Sequence, residues 1–238
     1  MLRRPFGAGL SVLALWAHAQ GASADVPAQI IPSISEVGTP TFTYPGASSG
    51  SSSSSSSSSY DGTWGSTDAM ATLLSQTYGT DAVAAAEAAG INPDTLAAFA
   101  QIESHFQNTG NSTSSADGVW QVTDATWNEY ASKLGLSDAD RSDPAVQAQV
   151  ASAIISSYAQ SVASVNGGTA TSAQVYAAYM FGTSAGEKIA TASADTPLSN
   201  FVSATSLSNN NMSGWTVGQY MSTVSSRMGS GASEAVIS

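Results

Sequence analysis

One carboxylate in this chain stands where a charge is costly. Glu103 lies in the segment Leu96-Ala-Ala-Phe-Ala-Gln-Ile-Glu-Ser-His-Phe106. At 3.6 residues per turn it shares a helix face with Leu96, Phe99, Ala100 and Phe106. Burial there disfavours the ionised form, so the carboxyl pKa should rise and the side chain should stay protonated near neutral pH. A glycosidase-type general acid needs that property. The competing reading is a buried Glu held by a salt bridge. Against it, the chain has only six Lys plus Arg beside seventeen Asp plus Glu. His105, one position round the helix, points elsewhere and reads as a surface or capping residue.

Other chemistries are narrowed by composition. There is no cysteine, which removes disulfides, thiolate metal sites and a Cys nucleophile. Beyond residue 24 the single histidine is His105, so a multi-histidine metal site is excluded, and no metal or other cofactor is expected. Gly182-Thr183-Ser184-Ala185-Gly186 fits the G-x-S-x-G nucleophile pattern. That pattern requires a buried strand before the serine and a histidine after it; the preceding residues here read as helix and no histidine follows position 105. Asp117 and Asp124 are the nearest candidates for a second carboxylate, but a polar loop explains the first and a helix first turn the second.

The elements that must position Glu103 are helices. Asn92 is a good N-cap, Pro93 suits the first helical position, and Asp94 favours the positive end of the dipole, so a helix opens there and ends near Gln107. Two shorter helices precede it, Asp68–Tyr78 and Asp81–Ala89, separated by Gly79-Thr80. A Ser, Thr, Asn and Gly loop covers 108–117. Thr123 caps a helix over Asp124–Leu134 that Gly135 stops, and Trp127, Tyr130 and Leu134 recur in it at helical spacing and are expected in the core. Asp143-Pro144 opens the longest helix, to about Val165. Further helices are predicted over Ser172–Phe181, Gly186–Ala192, Leu198–Ala204 and Val217–Arg227. Val119–Val122 is the best strand candidate, and an extended loop is the alternative.

Before the helices the chain has another character. Arg3 and Arg4, the apolar run Gly7 to Ala17, and Ala22-Ser23-Ala24 form a cleavable export signal over residues 1–24, too short to span a membrane. Residues 25–63, punctuated by prolines and by the serine run 51–59, read as a disordered linker reaching roughly 30–35 Å. The expected domain is 64–230, with 231–238 as a tail. Without Arg3 and Arg4, four basic residues remain against seventeen acidic ones, which argues against nucleic acid or an anionic membrane surface as partner.

Three short motifs then occur in order: Glu103-Ser104 at a helix end, Gly118-Val119-Trp120-Gln121, and Ala178-Tyr179-Met180 about 60 residues on. In order and spacing they resemble the Glu-Ser, Gly-Leu-Met-Gln and Ala-Tyr-Asn segments of the soluble lytic transglycosylase catalytic domain, over residues 66 to about 190. Val119-Trp120 stands for Leu-Met, Met180 for Asn, and the family's usual Gly-Pro-Gly is missing after it.

The resemblance implies a mainly α, lysozyme-like domain with at most a minimal β element, acting on peptidoglycan glycan strands without a cofactor. It implies Glu103 as a lone general acid and base that closes a 1,6-anhydro ring on N-acetylmuramic acid. It also implies Tyr179 bonded to Glu103 or substrate, Gln121 on the N-acetyl or hydroxyl groups, and Ser104 orienting the carboxyl. Trp120 could stack on a sugar or sit in the core. A hydrolytic muramidase of the same fold and a non-catalytic glycan-binding module are the alternatives. Export implies the periplasm or the extracellular space, and a secretion or conjugation apparatus is a partner the sequence leaves open.

Overall fold

The computed structural model describes residues 68–112 and 114–237. The expected signal and linker lie outside the described residues. Among the described residues nine α-helices follow in chain order: α1 Ala69–Ser75, α2 Gly79–Ala88, α3 Pro93–Ser104, α4 Asp124–Leu134, α5 Pro144–Val165, α6 Ser172–Phe181, α7 Thr183–Thr191, α8 Ala204–Asn209 and α9 Val217–Met228. Short 3₁₀ turns occupy Leu198–Asn200 and Gly229–Ser233. The mainly helical class expected from the sequence is what the chain adopts. Among the described residues β structure is limited to isolated bridges, including Gly110 with Asp117 and Asp117 with Val122. Val119–Val122 is therefore a turn, not a strand. No described helix is long and apolar enough to cross a membrane.

Helix α3 is the hub. It starts as the sequence requires: the Asn92 side chain accepts the Asp94 N–H at 3.0 Å, with Pro93 in the first turn. It then packs against α1, α2, α5, α6, α9 and the C-terminal 3₁₀ turn. Every residue from Thr95 to Ser104 is buried, so the apolar stripe of the sequence is one side of a helix covered all round. It ends at Ser104 rather than near Gln107. His105 and Phe106 both take left-handed conformations (φ 53° and 63°), and their N–H groups close on the Gln101 and Ala100 carbonyls. Neither is a glycine; Phe106 is buried and its carbonyl accepts the Tyr78 hydroxyl at 3.0 Å, which holds the turn.

Helix α6 carries the third motif and joins α7 through Gly182 (φ 85°). A Cβ on Gly186 would sit 2.4 Å from the Ala178 Cα, so the two helices approach backbone to backbone. The G-x-S-x-G match thus has a packing explanation, with α6 before it and Ser184 exposed. Gly186→Ala should destabilise the fold by roughly 2–3 kcal/mol, because the atom it meets is backbone and cannot swing away. A lower urea midpoint at unchanged m would show it.

Residues 231–237, which the sequence sets apart as a tail, are fastened to the domain. Val236 is fully buried; its carbonyl accepts the Asn92 N–H at 2.8 Å and its N–H donates to the Ala170 carbonyl at 3.0 Å. The Glu234 carbonyl accepts the Ser172 N–H at 3.1 Å. This strap joins the starts of α3 and α6, where the Thr95 and Ser172 hydroxyls also meet at 2.8 Å in the interior.

Candidate active site

Glu103 is 1 % exposed, in the last turn of α3. Desolvation pushes its pKa up from 4.5 to about 8, and a hydrogen bond from the Tyr176 side chain opposes the rise. Its Oε1 has no hydrogen-bond partner among the described residues. The carboxyl is thus neutral over most of the physiological range, and one oxygen is uncommitted.

Three tyrosines surround it. Besides Tyr176, the hydroxyls of Tyr179 and Tyr220 feel the Glu103 charge, and both have pKa values raised well above 10 by burial and by that carboxylate. Phe99, one turn before Glu103, sets two of the rings edge-on, at 5.3 Å from Tyr176 and 5.1 Å from Tyr179. Of the two tyrosines on α6, Tyr179 is not the one that bonds Glu103. Its hydroxyl donates to the Trp120 carbonyl at 2.6 Å, and Tyr176, one turn earlier on α6, bonds the carboxyl. The i, i+3 spacing of the two tyrosines is visible in the sequence and signals a shared face. Tyr176→Phe should raise the Glu103 pKa further, because the lost hydrogen bond favours the ionised form. Any turnover that uses this carboxyl as a base should slow by roughly ten- to a hundredfold, with the alkaline limb of the pH–rate profile moved up.

The second motif is a backbone scaffold. Gly118 has φ 81°, and the Gln147 side chain occupies the space a Cβ there would need, 2.4 Å away. Gln147, buried on α5, accepts the Val119 N–H at 2.9 Å and donates to Asn108 at 2.9 Å and to the Arg141 carbonyl at 2.8 Å. Its first bond fixes the motif that the Ser104 hydroxyl also grips, through the Val119 carbonyl at 2.7 Å. Gln121, 1 % exposed and at φ 47°, donates to the carbonyls of Thr109 and Gly118, both at 2.8 Å, and so closes the 108–117 loop. Trp120 is fully buried, with its indole N–H on the Leu96 carbonyl at 3.0 Å, so no ring face is open to a sugar. Ser104, Trp120, Gln121 and Tyr179 thus have their polar groups engaged by main chain or, for Gln121, by main chain and Asn111.

Met180 is buried in α6. The other carboxylates are engaged: Asp117 accepts the Gly118 N–H at 2.8 Å, and exposed Asp124 pairs with Arg141. Arg141 also donates to the Ser115 and Val122 carbonyls and ties the loop to α4. His105 caps α3, as expected. The described residues hold no cluster of three or more His, Cys, Asp or Glu suited to a metal ion.

Glu103 is thus a buried carboxyl at a helix end, held by a Tyr from a second helix, with the Gly118–Gln121 turn gripped by the neighbouring Ser104. The Transglycosylase SLT domain profile matches residues 82–201, half of the chain. The chain belongs to the SLT transglycosylase family. The SLT match covers α3, the Gly118–Gln121 turn and α6, and indicates a peptidoglycan-acting, lytic transglycosylase-like function in general. It stops before α8 and α9, so Tyr220 approaches Glu103 from outside the matched region. No curated protein matches the chain.

Proposed function

We propose that this protein is an exported lytic transglycosylase that cleaves the β-1,4 bond between N-acetylmuramic acid and N-acetylglucosamine, with Glu103 as its one acid and base. Protonated Glu103 donates to the glycosidic oxygen. The resulting carboxylate takes the proton from the muramic C6 hydroxyl, which attacks C1 and closes the 1,6-anhydro ring. One carboxyl serves both steps because the nucleophile belongs to the substrate and is already in place.

The observation that carries this reading is the state of Glu103: buried, neutral near pH 7, with one unshared oxygen. A hydrolytic muramidase of the usual kind needs a second carboxylate at a set separation. Asp117 and Asp124 are both committed to the loop framework, which supports the lone-acid route. Tyr176 acts as the positioning residue for the carboxyl. Ser104, Gln121 and Tyr179 act by shaping the turn beside it; Trp120 does so from the core. Cleavage in ¹⁸O-water tests the chemistry. Intramolecular attack leaves no label on the muramic C1 oxygen, whereas label at that oxygen would identify hydrolysis and reject the proposal.

A further inference from the structure

Glu103 presents a problem for any polymer substrate. To protonate a glycosidic oxygen its carboxyl must come within hydrogen-bond distance of it. Yet the residue is 1 % exposed, Oε1 is inaccessible, and the other side is occupied by Tyr176. Something covering the carboxyl has to move. Of the groups that face it, Tyr176 and Tyr179 are on α6, which is buried along nearly its whole length between α3, α5, α7 and α9. Tyr220 is on α9, whose buried residues Val217, Tyr220, Val224 and Met228 form a single stripe, while Gln219, Ser222 and Ser226 lie off that stripe. Helix α9 is thus the outer layer over the site.

Its attachments suit movement. Gly214 (φ 79°) precedes it and Gly229 (φ 75°, ψ −147°) ends it, both in backbone regions that glycine enters at little cost. Its first turn is tied to the Ala194–Thr196 loop, by Val217 N–H to the Thr196 carbonyl at 2.8 Å and Gly218 N–H to the Ala194 carbonyl at 2.7 Å, and the Trp215 carbonyl ahead of it accepts the N–H of buried Leu198 at 2.9 Å. The strap beyond Gly229 is anchored separately, through Val236. The covered arrangement also strands two polar atoms: the Tyr220 hydroxyl, like Glu103 Oε1, is buried without a hydrogen-bond partner among the described residues. Opening would let both meet water or substrate, which offsets part of the cost of exposing the apolar stripe.

We propose that α9 is a movable cover over Glu103, that the arrangement described is its closed state, and that a glycan strand reaches the carboxyl only when α9 swings out between Gly214 and Gly229. The need for access rests on the catalytic reading above. The motion itself can be measured without it.

Hydrogen–deuterium exchange of the full chain should show the amides of residues 219–228 exchanging at least tenfold faster than those of 97–103 and 175–180. Equal protection of all three segments would overturn the proposal. A packing variant gives an independent readout. Val224→Ala thins the apolar stripe one turn beyond Tyr220, and should raise peptidoglycan turnover severalfold while lowering Tm. A folded Val224→Ala protein with unchanged or reduced turnover would overturn the cover. Fast α9 exchange in a wild-type protein that cleaves nothing supports the cover and instead rejects the enzymatic reading.

Discussion

Replacing Glu103 by Gln should lower peptidoglycan cleavage by on the order of 10²- to 10⁴-fold, the usual contribution of a positioned acid–base group. It should also make the protein more stable at neutral pH. The sign follows from the raised pKa. Folding shifts Glu103 from 4.5 to about 8, so between those values the folded state binds the proton more tightly than the unfolded chain. The stability this contributes is complete below about pH 4.5 and is lost as pH rises through about 8. Across that window the wild type loses up to about 1.4 kcal/mol per pH unit from this one group. Gln is neutral throughout and has no such slope. Unfolding curves of the two proteins should therefore diverge from pH 4.5 to 8 and run parallel above. The same titration sets activity: turnover that needs the acid form should fall as pH passes about 8.

A large effect on stability is expected from Gly118→Ala. At φ 81° a Cβ costs about 1–2 kcal/mol by itself. The added atom also overlaps the Gln147 amide, which is buried and holds Val119, Asn108 and Arg141 at once. Pushing that amide aside strands buried partners at about 1–3 kcal/mol. The sum is a loss of roughly 3 kcal/mol, readable as a drop in Tm, together with reduced turnover because the turn beside Glu103 shifts. The cause can be isolated by a cycle with Gln147→Ala. In that background the substitution should cost only its backbone strain, so the two changes are expected to be strongly non-additive.

These two sites differ in how far they can be read from the chain alone. The carboxyl is legible because α3 is written in local code: Asn92 and Pro93 start it, and an acid placed between Phe99 and Phe106 stands out against few cations. The long α5 is equally plain, opened by Asp143-Pro144 and ended by Asn166-Gly167-Gly168. Local signals mislead where packing decides: Leu134 shares the helical spacing of Trp127 and Tyr130, yet it lies exposed at the end of α4 while those two are buried. Gly79 reads as a break, yet it opens α2, and the position is held to glycine because a Cβ there would lie 2.2 Å from the Leu73 carbonyl oxygen. The sequence predicts one helix over Leu198–Ala204; the chain forms a 3₁₀ turn at Leu198–Asn200, and Ser203 caps a separate α8 through the Ser206 N–H.

The site's connections are the least legible part. Gln147 lies 28 positions from Val119, and nothing local marks its amide as the brace of that turn. Tyr220 approaches Glu103 only once α9 folds onto α3. Trp120 and Gln121 carry residue types that suit sugars, and the same types also suit an interior. Their partners, the carbonyls of Leu96, Thr109 and Gly118, become visible only in three dimensions.

If Glu103 is both acid and base in an intramolecular transfer, the products carry the signature of that transfer. Mass spectrometry of peptidoglycan digested side by side with the wild type and Glu103→Gln tests it most directly. The expected result is muropeptides ending in 1,6-anhydro-N-acetylmuramic acid, one water lighter than reducing ends, from the wild type and essentially none from the variant. Anhydro ends released by Glu103→Gln at the wild-type rate would contradict the assignment of this residue, and reducing ends from the wild type would contradict the reaction.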